Sequence, residues 1–302
     1  MNEPSWCDLH LHTTASDGTW QPLPLVRAAK AAGLSAIAVT DHDTTASVRA
    51  VQEAGRRVGI EVLSGIELSL RAAGQEVHIL GYGIDPADAA LGHRLSSLRE
   101  RRQARADAIL ARLAAHGCPL DPDRVRQIAG RGSIGRPHIA RALVERGYIP
   151  SIAAAFDEWL AEGRPAYVPR AAVEAEEGMA WIKEAGGVSV LAHPGLLKDE
   201  AVIPALVAAG LAGLEVYHPA HTPDMVVHFL RIAQAHDLLV TGGSDCHGPG
   251  GKDRVYLGRE RAPLECWRAL QAALAGPIGG GPDHADNGND SREDGPSPKR
   301  TP

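Results

Sequence analysis

Two hydrophobic rhythms alternate along the chain. Short aliphatic and β-branched runs at residues 6–11, 36–40, 61–66 and 77–81 are separated by amphipathic stretches at 23–32, behind Pro22, and at 45–58. That alternation predicts βα units around a parallel sheet. From about residue 92 to 164 only the helical period remains, in a long stretch at 95–116 and shorter ones at 123–129, 137–146 and 152–161. Strand-like runs return at 188–192, 214–217 and 238–242, separated by helical stretches near 174–184, 203–209 and 223–236. The pattern predicts an α/β barrel carrying an inserted helical subdomain. Residues 5–91 give its first part, 92–164 the insertion, which would cap the substrate, and 165–275 its second part. Residues 276–302 are rich in Gly, Asp, Asn and Pro and too poor in apolar side chains to bury a core, so a disordered tail is expected.

Composition narrows the class. The chain has 302 residues, 44% of them hydrophobic and 23% charged, as in globular proteins. No apolar run approaches the roughly 20 residues of a membrane helix, and the first residues do not pair a basic region with an apolar stretch. A soluble cytoplasmic protein is therefore expected. Cys7, Cys118, Cys246 and Cys266 are scattered without CxxC spacing, which argues against a zinc ribbon or a disulfide framework. The net charge of −6 is uneven. Between Gly92 and Gly147 there are twelve Arg and no Lys against five acids, a local balance of +7 that leaves −13 elsewhere. Such a segment is either a solvated helical face or a basic cap over an anionic substrate.

The candidate chemistry lies at the strand ends. The first strand ends in His10-Leu11-His12, and side chains two apart on a strand face the same way. Asp17 follows in a loop that Gly18 lets turn back. Later strands end in or contain Asp41-His42-Asp43, Glu67, His78, His193, Glu215 with His218, and Asp245-Cys246-His247. One such histidine is usually a core or surface residue. Nearly every strand ending in His, Asp or Glu is different, because barrel sites assemble at the C-terminal rim of their strands. An imidazole–carboxylate set without thiolate suits zinc, iron or manganese, and several carboxylates favour more than one cation. Cys246, between Asp245 and His247, is expected to face away.

These motifs, Asp8-Leu9-His10-Leu11-His12-Thr13, Ser16-Asp17-Gly18 and Ala38-Val39-Thr40-Asp41-His42-Asp43-Thr44, resemble those of the PHP (polymerase and histidinol phosphatase) family. The resemblance runs from about residue 6 to 270 and implies a distorted (β/α)7 barrel. It implies nine metal ligands: His10, His12, Asp17, His42, Glu67, His78, His193, Asp245 and His247. It also implies two to three divalent metals, Mn before Fe or Zn. His10, His12, Glu67 and Asp245 would share one, Asp17, His42 and His247 a second, and Glu67, His78 and His193 a third. Catalysis would use a hydroxide acidified by the cations, with no single protein base assigned.

Within the family, Gly135-Arg136-Pro137-His138-Ile139-Ala140-Arg141 and Gly163-Arg164-Pro165-Ala166-Tyr167-Val168 resemble the stand-alone phosphoesterases that act on 3′,5′-nucleoside bisphosphates, some of which trim 5′ ends of short RNA. Pro137 suits the first turn of a helix, whose free amides bind anions, and Arg136 beside it could chelate a phosphate. The expected substrate contacts are Arg136, His138, Arg164, Tyr167 and His218. Arg136 could instead be a surface cation, Arg164 and Tyr167 could as readily be surface residues, and His138 could cap its own helix. The expected partners are a nucleotide or short RNA, with no membrane and no stable protein partner. A histidinol-phosphate phosphatase and a non-catalytic metal-binding protein are the competing readings.

Overall fold

The computed structural model describes residues 6–130, 134–169, 173–249, 257–259 and 261–276. Residue 5 of the expected first segment, and all but the first residue of the expected tail, lie outside them.

Among the described residues there are eight strands: β1 (Trp6–Asp8), β2 (Leu34–Val39), β3 (Glu61–Ala72), β4 (Gln75–Tyr82), β5 (Val188–Leu191), β6 (Gly213–Tyr217), β7 (Leu239–Gly242) and β8 (Ala262–Pro263). They form one sheet in the order β7-β6-β5-β4-β3-β2-β1-β8. The first seven curl into a barrel. Its seam is closed by Leu9 N–H donating to Gly242 O at 3.1 Å and His12 N–H donating to Cys246 O at 3.2 Å. β8 adds a short antiparallel edge to β1.

The expected all-parallel sheet is corrected at β4, which runs antiparallel to both β3 and β5. The cause is the two-residue connection Ala73-Gly74, with φ of 47° and 78°. Positive φ at both central positions gives the turn whose twist matches a hairpin. β3 and β4 therefore form a continuous ribbon that crosses the rim, and it carries Glu67, Glu76 and His78 together.

Helices α1 (Pro22–Ala31) and α2 (Val48–Val58) cover β1 and β2, burying Leu25, Val26, Val48 and Val51 against Ile37 and Val39. α1 starts on Pro22, and α2 stops where Gly59 turns left-handed at φ 74°. α7 (Ala175–Glu184), α8 (Val202–Ala208) and α9 (Pro223–Ala235) cover the sheet from β3 to β6, and α10 (Leu264–Ala275) covers a third cluster with Trp267 and Leu270.

α3 (Ala89–Ala115) crosses the boundary expected at residue 92. Leu91, Leu95 and Leu98 pack into the barrel core, whereas Ala106, Ile109, Leu110 and Leu113 belong to a separate core. The second core also holds α4 (Pro122–Ala129), α5 (Arg136–Glu145), α6 (Ile152–Ala155) and the π-helical turn Phe156–Leu160. One helix was expected over 152–161. The chain instead widens after Ala155, with Ala161 N–H bonding Phe156 O at 2.9 Å. No helix of the described residues is long and apolar enough to cross a membrane.

Candidate metal centre

Glu67, on β3, is the hub of the rim. Its Oε2 lies 2.9 Å from His42 Nδ1 and 3.3 Å from both His10 Nε2 and His12 Nε2. Its Oε1 lies 2.7 Å from His78 Nδ1 and 3.2 Å from His193 Nε2. Asp245 Oδ1 stands 3.0 Å from His12 Nε2 and 3.4 Å from His10 Nε2, and Asp17 Oδ1 stands 3.2 Å from His247 Nε2. Nine residues from six stretches of the sequence thus meet within one largely buried patch.

Among the described residues, three groups of donor atoms are close enough to hold one cation each: His10, His12, Glu67 and Asp245; His12, Asp17, His42 and His247; and His42, Glu67 and His78. The first is the same quartet that the family resemblance implied. The second adds His12 to the implied trio. The third has His42 in the place of His193, which nevertheless sits against the same Glu67 oxygen.

The donors fit cations rather than one another. His10 Nε2, His12 Nε2, His42 Nδ1, Glu67 Oε2 and His247 Nε2 are buried and make no hydrogen bond. Each such atom costs desolvation energy of about 1–3 kcal/mol when unmatched. One set of divalent cations would satisfy them all, and an N/O set without sulfur suits manganese, iron or zinc.

The electrostatics agree. Burial alone would raise the Glu67 carboxyl pKa, but the imidazoles of His42, His78 and His10 hold it well below its ordinary value. Burial alone would lower His12 and His78, yet Asp245 and Glu67 bring His12 up to about 9, and Glu67 and Glu76 bring His78 up to about 9. Burial prevails at His42, pushing it down to about 4 against the opposing Glu67. Metal-free, the cluster trades cations for protons.

A second layer fixes the donors. Glu215, on β6, sits 2.9 Å from His10 Nδ1 and accepts His193 N–H at 2.8 Å. Asp41 accepts from Thr13 N–H and Thr13 Oγ1, both at 2.7 Å, from Ser16 Oγ at 2.6 Å and from Ser47 Oγ. It thereby clamps the loop that carries Asp17. Asp8 Oδ1 accepts Ser244 N–H at 2.9 Å, and burial pushes the Asp8 carboxyl up to about 6. Asp43, His193 and Asp245 have φ of 49°, 28° and 50°. Left-handed backbone at non-glycine residues is strained, and such strain concentrates at functional sites. Cys246 is buried against Leu11 and Leu25, away from the donors.

Two cavities open onto the donors. One of about 490 Å3 lies between rim and insert, lined by Asp17, His42 and His78 on one side and Arg102, Arg105, Arg136 and Phe156 on the other. The second, of about 400 Å3, is lined by Glu67, His193, His218 and Asp245 and shares His42 and His78 with the first.

The expected substrate residues divide. Arg136 lines the first cavity, but its Nη2 lies 3.7 Å from Glu76 Oε2 and its guanidinium stacks 5.7 Å from the Phe156 ring. His138 is buried, and its Nδ1 accepts Gly135 N–H at 3.0 Å, so it caps its own helix and takes up one of the amides expected to bind an anion. Tyr167 lines a smaller cavity of about 180 Å3 that also reaches Arg136. Arg164 is exposed and lines no described cavity. His218 lines the second cavity with Nε2 3.8 Å from Asp245 Oδ2.

Sequence reasoning passed over Arg102 and Arg105. A signal existed: Leu91, Leu95, Leu98, Arg102, Ala106, Ile109 and Leu113 follow the buried stripe of α3, and Arg102 occupies an apolar position in it.

Comparison with known proteins fits this geometry. The PHP domain family model matches residues 8–118. A 3′,5′-nucleoside bisphosphate phosphatase from Chromobacterium violaceum is 37% identical over 279 residues, covering 89% of this chain and 98% of that protein. A phosphoribosyl 1,2-cyclic phosphate 1,2-diphosphodiesterase from Eggerthella lenta is 36% identical, covering 81% of this chain and 95% of that protein. The 5′-3′ exoribonuclease Rnm of Salmonella typhimurium is 36% identical, covering 80% and 85% respectively. A crystal structure assigned as a metal-dependent phosphoesterase from Bifidobacterium adolescentis superposes with a TM-score of 0.82 at 35% identity, covering 89% of this chain and 97% of that one.

Proposed function

The chain belongs to the PHP family of metal-dependent phosphoesterases, and on that premise we propose that it removes the 3′-phosphate from 3′,5′-nucleoside bisphosphates, as in 3′,5′-adenosine bisphosphate to AMP and phosphate. The observation that carries this reading is the shared hub: three donor groups converge on or beside Glu67, and Asp17, His42 and His78 of those groups line a cavity whose opposite wall is cationic.

His10, His12, Glu67 and Asp245 would hold one divalent cation, Asp17, His42 and His247 a second, and Glu67, His78 and His193 a third. Manganese is the first candidate, with iron or zinc as alternatives. Such cations polarise a phosphoryl oxygen and bring the pKa of water near neutrality.

The chain's own residues do the positioning. Glu215 orients His10 and the His193 backbone, and Asp41 holds the loop that presents Asp17. Arg136 sets positive charge across the cavity from the donors, and the Ile152, Ala153 and Phe156 side chains give that wall an apolar part against which a base can lie. His218, whose Nε2 makes no hydrogen bond, lines the second cavity and would be the side chain to serve the departing ribose oxygen. A cytoplasmic location belongs to the same reading, since the four cysteines are free thiols.

A second reading, 5′-3′ trimming of short 5′-phosphorylated RNA, is favoured by one observation. Arg136 and Glu76 line both the main cavity and the smaller one beside Tyr167, which gives a longer chain a path outward.

The test is phosphate and nucleotide release, with manganese, from 3′,5′-adenosine bisphosphate and from a 5′-phosphorylated RNA oligomer. Release of AMP and phosphate by the wild type, abolished in His12→Ala and weakened in Arg136→Ala, is expected. A metal-loaded wild type silent on both substrates would overturn the assignment.

A further inference from the structure

Leu196 is an apolar side chain held in water at the edge of the donor site. It is 59% exposed, and among the described residues only Val227 is another large apolar side chain so open. A single exposed leucine is ordinary on a protein surface. This one stands where two cavities meet: it lines the second cavity with His193 and His218, and the smaller cavity with Tyr167 and Arg136.

The loop that carries Leu196 is fixed. Leu196 N–H donates to His193 O at 2.9 Å, closing a 3-10 turn over Pro194–Leu196. Gly195 N–H donates to His221 Nε2 at 3.1 Å, and His221 Nδ1 in turn donates to Val216 O at 2.8 Å. A Cβ on Gly195 would stand 2.2 Å from Met225 Cε and 2.7 Å from His221 Cδ2, so the backbone is pressed onto these side chains. Further on, the buried Gln75 amide accepts Lys198 N–H at 3.0 Å and donates to Asp199 O at 2.8 Å. A loop tied on both sides of Leu196 keeps that side chain in one place. Folding gains little from leaving it in water, whereas a ligand that covers it gains the burial.

The smaller cavity says what kind of ligand. Its cations are already matched: Lys198 with Glu162, Arg136 with Glu76 at 3.7 Å, and Arg71 with Gly74 O. Charges paired off in this way do not make a phosphate site. The accessible apolar side chains on its wall are those of Leu196 and Tyr167. Nucleobases have apolar faces that stack on such side chains whatever the base. A mononucleotide bisphosphate ends at its scissile phosphate, but an RNA continues beyond it, and its next base must lie outside the donor cluster.

We propose that Leu196, with Tyr167, forms the subsite for the base of the second nucleotide of a 5′-phosphorylated RNA. The inference rests on the RNA-trimming reading of the donor site. It places the preference for an oligonucleotide over a mononucleotide on an apolar contact from the loop after β5.

The experiment compares kcat/KM for 5′-phosphorylated diadenylate, cleaved to two AMP, with that for 3′,5′-adenosine bisphosphate, in the manganese-loaded wild type, Leu196→Ser and Leu196→Met. Leu196 is exposed, so both substitutions leave the core intact. Leu196→Ser should lower the dinucleotide-to-bisphosphate ratio by roughly fivefold or more, the scale of uncovering a few apolar carbons, and Leu196→Met should restore it. A dinucleotide abasic at its second position should show the lower ratio in the wild type already and lose little more in Leu196→Ser. The same ratio in wild type and Leu196→Ser, or an equal loss on the abasic compound, would overturn the subsite.

Should the wild type leave the dinucleotide uncleaved, the RNA-trimming reading fails and calorimetry on metal-stripped protein decides the subsite by itself. Binding of the dinucleotide weakened by Leu196→Ser roughly fivefold more than binding of AMP would support it. Equal weakening of the two, or none, would overturn it.

Discussion

The Asp43 carboxylate meets the Arg102 guanidinium where the barrel rim joins α3, with both side chains more than nine-tenths buried. Asp43 follows His42 in sequence, holds a left-handed φ of 49° and also accepts Ser69 N–H at 3.0 Å. The pair therefore ties the insert to a strained turn beside a donor. Arg102→Met removes the cation from a buried anion, a change that costs about 3–5 kcal/mol. Urea denaturation should show that loss, and Asp43→Asn combined with Arg102→Met should recover much of it. A loss below about 1 kcal/mol would mean that the rim and insert are joined by something else.

Glu215 supports two donors at once, through His10 Nδ1 and His193 N–H. Outer partners of metal-binding histidines typically carry 10–100-fold of metal affinity. Glu215→Gln should weaken manganese binding by about that factor, measured by competitive chelation, while circular dichroism stays that of the wild type. Unchanged affinity would show that the rings are held by packing alone.

Much of the site was legible because its chemistry is periodic. Histidines and carboxylates at successive strand ends can only converge once the strands close into a barrel, and His10, His42, Glu67, His193 and Asp245 do so. The β3–β4 hairpin escaped notice because Ala73-Gly74 lacks the Asn-Gly or Asp-Gly signal of a tight turn, so β4 was read as one more parallel strand. Arg102 was masked by the other arginines of its helix; only its place in the apolar stripe set it apart. His138 was ambiguous because capping and ligand contact ask for the same ring nitrogen, and the three-dimensional fold gives Nδ1 to Gly135.

Gly243 provides a backbone test of the same rim. A Cβ there would stand 2.4 Å from His10 N, 2.5 Å from His10 Cβ and 2.9 Å from Asp8 Oδ1. His10 N is backbone and the Asp8 and His10 side chains are fully buried, so none of the three can give way cheaply. Gly243→Ala should destabilise by about 1–3 kcal/mol and reduce metal content together. Gly92→Ala is the control: it lies in α3 with open space around it and should stabilise by about 0.5–1 kcal/mol. Equal melting shifts in the two variants would contradict the close approach at His10.

The pH dependence of stability should differ in form between metal-free and metal-loaded protein. Without metal, burial opposes the charging of His12 and His78, but their carboxylate neighbours bring both up to about 9. An unfolded histidine titrates near 6.5, so above that pH the folded state binds more protons than the unfolded one. The stability these groups contribute is complete below about pH 6.5 and is lost as pH rises through about 9, at up to roughly 1.4 kcal/mol per pH unit for each histidine. His42 and His138, both pushed down to about 4 by burial, act in the opposite sense: their contributions are lost as pH falls below 6.5. Metal-free protein should therefore melt highest near pH 6.5 and progressively lower toward pH 9.5. Cations need the same nitrogens unprotonated, so metal binding strengthens over that interval and manganese should flatten or reverse the slope. Melting curves in chelator and in manganese, taken from pH 6.5 to 9.5, check this. Parallel curves would mean that His12 and His78 carry no protons in the folded protein, and that Glu67 is not the group that protons and cations compete to neutralise.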